Sequence, residues 1–140
     1  MNTDWQARVR ALAPLATLEQ HRGEWWLSSA ELDVQAMARL MLALGAPLGT
    51  MTGVMLEGGE TAVLYHYTLG ATAINFKTRT HDNRLPSITP ITRAANWIER
   101  EIHDLYRVEF VGHPGLAPLI RPEKVPPGFF REAGGSASNP

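Results

Sequence analysis

Apolar residues recur along the chain at two different spacings, and their order predicts a helix, a sheet and a second helix. Between Glu31 and Leu44 the positions Leu32, Ala36, Leu40 and Leu44 fall every fourth residue, with Met37 and Met41 beside them. That is one buried helix face, and a methionine-bearing stripe of this kind is core packing. Gly45 offers a left-handed C-cap and Pro47 forbids further helix. From Leu48 the period falls to two. Thr50 to Leu56, Ala62 to Leu69 and Ala71 to Thr80 are expected strands, turned by Gly58-Gly59 and by Gly70. Val63, Tyr65, Tyr67 and Leu69 share one face, as do Ile74, Phe76 and Thr78, with Asn75, Lys77 and Arg79 opposite. An antiparallel meander with one apolar face needs a covering layer, and the flanking helices can supply it. The predicted fold is α+β, a two-layer sandwich of an antiparallel β-meander covered by helices, with an extended proline-rich C-terminal tail.

The rest of the chain is read around that unit. Asp4 to Gln20 is expected to be an opening helix, kinked or ended by Pro14. Arg22-Gly23 is a break and Glu24 to Leu27 a short strand. Ser28 and Ser29 are N-cap candidates for the Glu31 helix. His81 to Pro90 is a polar loop, and Thr92 is the expected cap of a helix over Arg93 to Arg107. Beyond His113-Pro114 the pattern dissolves into Pro118, Pro122, Pro126 and Pro127, and the end runs Gly134 to Pro140. A single domain over 1–116 followed by a disordered tail over 117–140 is the expected organisation.

Charge and composition narrow the function. A net charge of -1 and a pI near 6.5 lack the basic excess that phosphate contacts require, so no nucleic-acid partner is expected. There is no cysteine, which removes disulfides, thiolate catalysis and cysteine-held clusters from this chain. Charges near the N-terminus argue against a signal peptide. The apolar run from Met37 to Pro47 holds Arg39 and is too short to span a bilayer, so direct membrane insertion is not expected.

The chemistry is concentrated between Trp97 and Pro114. Trp97, Ile98, Ile102, Leu105 and Tyr106 are expected on the sheet-facing side of this helix, and Glu99, Arg100, His103, Asp104 and Arg107 on the other side or its borders. Glu99 with His103, and Arg100 with Asp104, are four apart and can meet across one turn. Exposed, such pairs are worth about 0.3–0.5 kcal/mol each. Buried against another protein, the same carboxylates and guanidinium would set orientation through charge-assisted bonds. The pattern leaves both readings open. A free-standing metal enzyme would have to use His103 and Glu99 with His66 or His113. No His-x-x-x-His pair, phosphate loop or nucleophile elbow is present.

The run Ala95-Asn96-Trp97-Ile98-Glu99-Arg100-Glu101-Ile102-His103-Asp104-Leu105-Tyr106, then Phe110, Gly112-His113-Pro114 and Leu116, resembles the signature of the thirty-kilodalton subunit of NADH:quinone oxidoreductase (respiratory complex I). Related domains occur in membrane-bound hydrogenases and formate hydrogenlyase. The resemblance extends loosely back to Glu31. It implies a structural subunit without cofactor or metal of its own, packed in the hydrophilic arm of a membrane-associated complex. Its partners there would be the large subunit that resembles a nickel–iron hydrogenase, near the quinone site, and the iron–sulfur subunit. The setting implied is cytoplasmic, peripheral to the inner face of the cell membrane. Glu99, Arg100, Glu101, Asp104, His113 and Pro114 are then the expected interface residues, and an isolated chain exposing that face is expected to self-associate. The family usually has glycine where this chain has Arg107, which predicts another helix ending or local strain. Leu116-Ala117-Pro118-Leu119 stands where the family continues with a leucine and basic residues, and the segment Arg121 to Arg131 looks more like the hydrogenase branch, so the equivalent subunit of a nickel–iron hydrogenase or formate hydrogenlyase stands as the alternative.

Overall fold

The computed structural model describes residues 4–116; the tail expected over 117–140 lies outside them. Helix α1 (Asp4–Arg10) leads to a hairpin of β1 (Leu18–His21) and β2 (Glu24–Ser28), then helix α2 (Val34–Leu44). Strands β3 (Leu48–Met55), β4 (Thr61–Leu69) and β5 (Thr72–Arg79) follow, then β6 (Arg84–Pro86), helix α3 (Ala95–Tyr106) and β7 (Glu109–Val111). The main sheet has the order β1-β2-β5-β4-β3. The expected α+β architecture is what forms, with the β3–β4–β5 meander antiparallel throughout. Its junction with β2 is parallel, because α2 carries the chain back over the sheet between them.

Register puts Leu27, Phe76, Tyr65 and Met51 side by side across four strands, all pointing inward. They join Trp5 and Val9 of α1, Val34, Met37 and Met41 of α2, and Ile102 of α3 in one core. At Gly53 the side chains of α3 pack against the backbone of β3. A Cβ there would stand 3.0 Å from two ring carbons of Tyr106, so the strand must present bare backbone.

Several local expectations are corrected. The opening helix stops at Arg10, short of Pro14, and Leu18–His21 is a strand instead. The reason is the Arg22-Gly23 pair, whose positive φ values of 54° and 82° make a two-residue hairpin turn. Asp33, not Ser28 or Ser29, caps α2 by accepting from Ala36 N at 3.0 Å, while the Ser29 hydroxyl accepts from Glu31 N. Gly45 does form the left-handed C-cap, at φ 74°. Asn75, on the strand face opposite the core, is nonetheless buried. The polar loop after β5 also contains structure. Asp82 and Asn83 adopt positive φ in a tight turn closed by reciprocal bonds between His81 and Arg84. Beyond it, β6 and β7 pair in parallel with α3 as their crossover. Thr92 gives α3 no side-chain cap; its carbonyl accepts from Ala95 N.

Candidate functional site

Strands β6 and β7 hold α3 at both ends, and the loop after β6 passes under its first turns. Glu99 fastens the two together. Its carboxylate is 0% exposed and receives the Ser87 hydroxyl at 2.6 Å, the Thr89 hydroxyl at 2.8 Å and the Ile88 backbone N–H at 2.8 Å. Burial pushes the Glu99 carboxyl above the usual carboxylate range, and these bonds with the nearby His113 hold it back only in part. Burial also raises the hydroxyls of Tyr65 and Tyr67, with the Glu99 charge adding to it. Neither hydroxyl has a hydrogen-bond partner among the described residues. Glu99 thus points from α3 into the interior of the domain.

The Gly-His-Pro corner closes over the same spot. The His113 side chain is 1% exposed, with Nε2 at 3.3 Å from Asn96 O and 4.0 Å from Glu99 Oε1. Its Nδ1 accepts from Gly115 N at 2.9 Å, so the proton sits on Nε2. The corner is folded back on the start of α3, and Pro114 lies exposed beyond it.

The two faces of α3 do not divide as the helical wheel suggested. Glu99 and Asp104 are wholly buried, whereas Trp97, expected on the sheet, is 57% exposed. Ile102 is buried, and Ile98, Leu105 and Tyr106 are half-buried. The expected Glu99–His103 pair does not form, since His103 Nδ1 turns to Val108 O at 2.8 Å. Arg100 and Glu101 are half-buried. The Arg100 Nε is shielded from water and has no hydrogen-bond partner among the described residues. Of the expected interface residues, Glu99, Asp104 and the His113 side chain therefore lie inside the domain, and Arg100, Glu101 and Pro114 reach the surface. Trp97 joins that surface, where helical spacing alone had placed it in the core.

The metal reading fails on placement. His66 belongs to the opposite face of the sheet, where it bonds Thr52 and Asn75. His103 is committed to Val108 O, leaving Glu99 with His113 alone. No group of three or more metal-ligating side chains exists among the described residues.

At the end of α3, Arg107 adopts the left-handed conformation at φ 62° and donates its N–H to His103 O. The helix ends as a glycine would end it, at the cost of a side chain in a strained region. Sequence reasoning found this position. It missed Ser87 and Thr89, which between Pro86 and Pro90 read as ordinary loop polarity. It also missed Glu60, whose carboxylate accepts from Thr80 Oγ1 at 2.5 Å and from the N–H groups of Asp82 and Asn83.

Residues 31–131 match the family model described as "Respiratory-chain NADH dehydrogenase, 30 Kd subunit". NADH-quinone oxidoreductase subunit 5 of Thermus thermophilus is 45% identical over 42 residues, 30% of this chain and 20% of that protein. A relative from Chloroherpeton thalassium, likewise named as a subunit of NADH-quinone oxidoreductase, is 30% identical over 81 residues, 54% of this chain and 34% of that protein. The chain thus spans between a fifth and a third of these relatives' length. The fold is shared with a chain of an archaeal respiratory membrane complex, the membrane-bound sulfane sulfur reductase. The TM-score is 0.75 at 23% identity, covering 91% of this chain and 80% of the other. No helix of the described residues is long and apolar enough to cross a membrane.

Proposed function

The chain belongs to the 30 kDa subunit family of respiratory-chain NADH dehydrogenase, and from that premise we propose that it is a cofactor-free docking subunit of a membrane-associated respiratory complex of the NADH:quinone oxidoreductase type. Its task is to seat the large hydrogenase-like subunit, with the iron–sulfur subunit beside it, near the site of quinone reduction. The outward face of α3 makes the contact, through Trp97, Arg100 and Glu101, with Pro114 at its margin. Glu99, Asp104 and His113 act from beneath, holding that face rigid.

One observation carries the reading. Arg100 presents a water-shielded Nε–H with no acceptor among the described residues of its own domain, on the helix where Trp97 stands 57% exposed. A buried donor without a partner costs about 1–3 kcal/mol. If the half-buried side chain turns outward on docking, a carboxylate or carbonyl of another subunit removes that cost. Tryptophan and arginine are also the side chains that dominate interface energetics. The C-terminal sequence from Arg121 to Arg131 favours a second reading, the same role in a membrane-bound nickel–iron hydrogenase or formate hydrogenlyase.

Affinity purification of the native complex through this chain, with identification of the co-purifying subunits, tests the proposal. A large hydrogenase-like subunit is expected, together with either NADH-oxidising flavoprotein or nickel–iron partners. The Arg100→Ala chain is expected to fold but to lose that subunit. Recovery of no redox subunit, or equal recovery with Arg100→Ala, overturns the docking role.

A further inference from the structure

The core occupies one face of the main sheet; the other face carries two open hollows. One hollow of about 600 Å³ is lined by Leu15, Glu19, Trp26, Leu64 and Lys77, among others. A second of about 290 Å³ continues from it past Leu56, Ala62 and Arg79. Ser28 and Lys77 line both, so the two form one groove crossing β2 and β5.

Its chemistry is polarised. Lys77 and Arg79 alternate on β5 and project from the same face, both exposed. Neither side chain makes a hydrogen bond or ion pair among the described residues; the Arg79 guanidinium only senses the Glu60 carboxylate at longer range. The Glu19 carboxylate at the other end is already turned to His21 at 3.3 Å. Beside the cations stand half-buried Trp26 and Leu64, with Leu15 fully exposed at the margin. Trp26 is fixed edge-on to His66, with ring centroids 6.3 Å apart. A hydrogen-bonded relay across four strands locks that ring. Thr52 meets His66 Nε2 at 3.1 Å, His66 Nδ1 meets Asn75 Oδ1 at 2.7 Å, and Asn75 Nδ2 donates to Glu24 at 2.9 Å. The apolar wall of the groove is therefore held in place before anything binds, which lowers the ordering cost of binding.

We propose that this groove docks an extended segment of a partner protein carrying acidic residues two positions apart next to an apolar anchor. Side chains at i and i+2 of a strand lie on one side about 6.7 Å apart. An extended ligand laid along β5 therefore offers carboxylates at the spacing of Lys77 and Arg79, and places its anchor against Trp26 and Leu64. Residues 117–140 do not carry this pattern, since their two acids, Glu123 and Glu132, are not two apart. The groove lies across the sheet from the docking face of α3, so the two surfaces can be engaged by different segments at once.

The probe is a fluorescein-labelled synthetic dodecapeptide alternating Glu and Thr beside a Leu-Trp anchor, titrated against the full chain by fluorescence anisotropy. Amide chemical shifts map the site. Saturable binding is expected, weakened as sodium chloride rises from about 50 mM to about 300 mM because the pairs are solvent-screened. Lys77→Glu with Arg79→Glu is expected to weaken it at least tenfold, Trp26→Ala to weaken it independently, and Arg100→Ala to leave it unchanged. Circular dichroism confirms that the charge-reversed chain is folded. Equal binding by the charge-reversed chain, shifts confined to α3, or the same shifts produced by inorganic phosphate alone would each overturn a peptide groove here.

Discussion

Glu99 is a carboxylate that has been taken out of water and given three donors, and its energetics turn on whether those donors keep an acceptor. Glu99→Ala orphans the Ser87 and Thr89 hydroxyls and the Ile88 N–H together, so destabilisation of about 3–5 kcal/mol is expected. Glu99→Gln keeps a carbonyl for Ile88 N–H and turns its amide toward hydroxyls that can rotate to accept, so its cost at neutral pH is expected to stay below about 1 kcal/mol. The pH dependence has a definite sign. The folded carboxyl is raised above its ordinary value of 4.5. Its contribution is therefore whole below that value and lost as pH rises through the folded pKa, where the charge forms in a buried site. Urea unfolding of wild type and Glu99→Gln at successive pH values from about 4 to about 8 is the measurement. The glutamine variant should gain on wild type as pH rises, and a difference independent of pH would show that burial does not govern Glu99. Glu60 behaves oppositely. Its bond from Thr80, with those from Asn83 and Asp82, holds its pKa below 4.5, so the stability it adds is present above that value and lost as pH falls through the folded pKa. Glu60→Gln is expected to flatten the acid limb of the same profile.

At the level of elements, the end of α3 and its contact with β3 can be tested separately. Arg107→Gly and Arg107→Ala both delete the guanidinium, so their difference isolates the left-handed backbone at φ 62°. The glycine variant is expected to be the more stable by about 1 kcal/mol in thermal or urea melts. Gly53→Ala drives a methyl to 3.0 Å from the Tyr106 ring. It is expected to cost about 1–3 kcal/mol, as overpacking does. Such contacts also show how much of the fold was legible. The two-residue period placed Tyr65, Tyr67, Ile74 and Phe76 correctly, because one-sided burial imposes alternation on any strand. The four-residue period found α2 but not its buried face: the helix starts at Val34, and Val34, Met37, Ala38 and Met41 are buried while Ala36, Leu40 and Leu44 are half-buried. What failed was non-local. Whether β2 joins β5 in parallel depends on a crossover that no window of residues encodes, and β1 was too short and polar to announce itself. On α3 the wheel separated charge from apolarity, but the helix is also covered by the loop after β6 and by the His113 corner. Those cover its charged side with hydroxyls and backbone donors, which draws Glu99 inward and leaves Trp97 outside.

As a whole molecule, the domain keeps its apolar inner face for itself and presents two surfaces outward, the face of α3 and the open side of the sheet. A docking surface differs from a structural one in how mutation divides between folding and assembly. Arg100 is the sharpest case, because the same atom should act with opposite sign in the two processes. In the isolated chain its Nε is buried without an acceptor among the described residues, so Arg100→Ala is expected to be neutral or to raise stability by up to about 1 kcal/mol. In the complex, truncating a buried hydrogen-bonded charge partner costs about 2–5 kcal/mol. Trp97→Ala should divide the same way. A side chain already 57% exposed gives little to folding, yet an aromatic anchor at an interface contributes about 2 kcal/mol or more to binding, some thirtyfold in affinity. Thermal melts of the isolated variants, set beside quantitative recovery of the partner in native purification, separate the two contributions. Variants that melt early and assemble in proportion would make α3 a purely internal helix. Variants that melt normally and fail to assemble would place the contact on Trp97 and Arg100, with Glu99 beneath as the support that holds them in position.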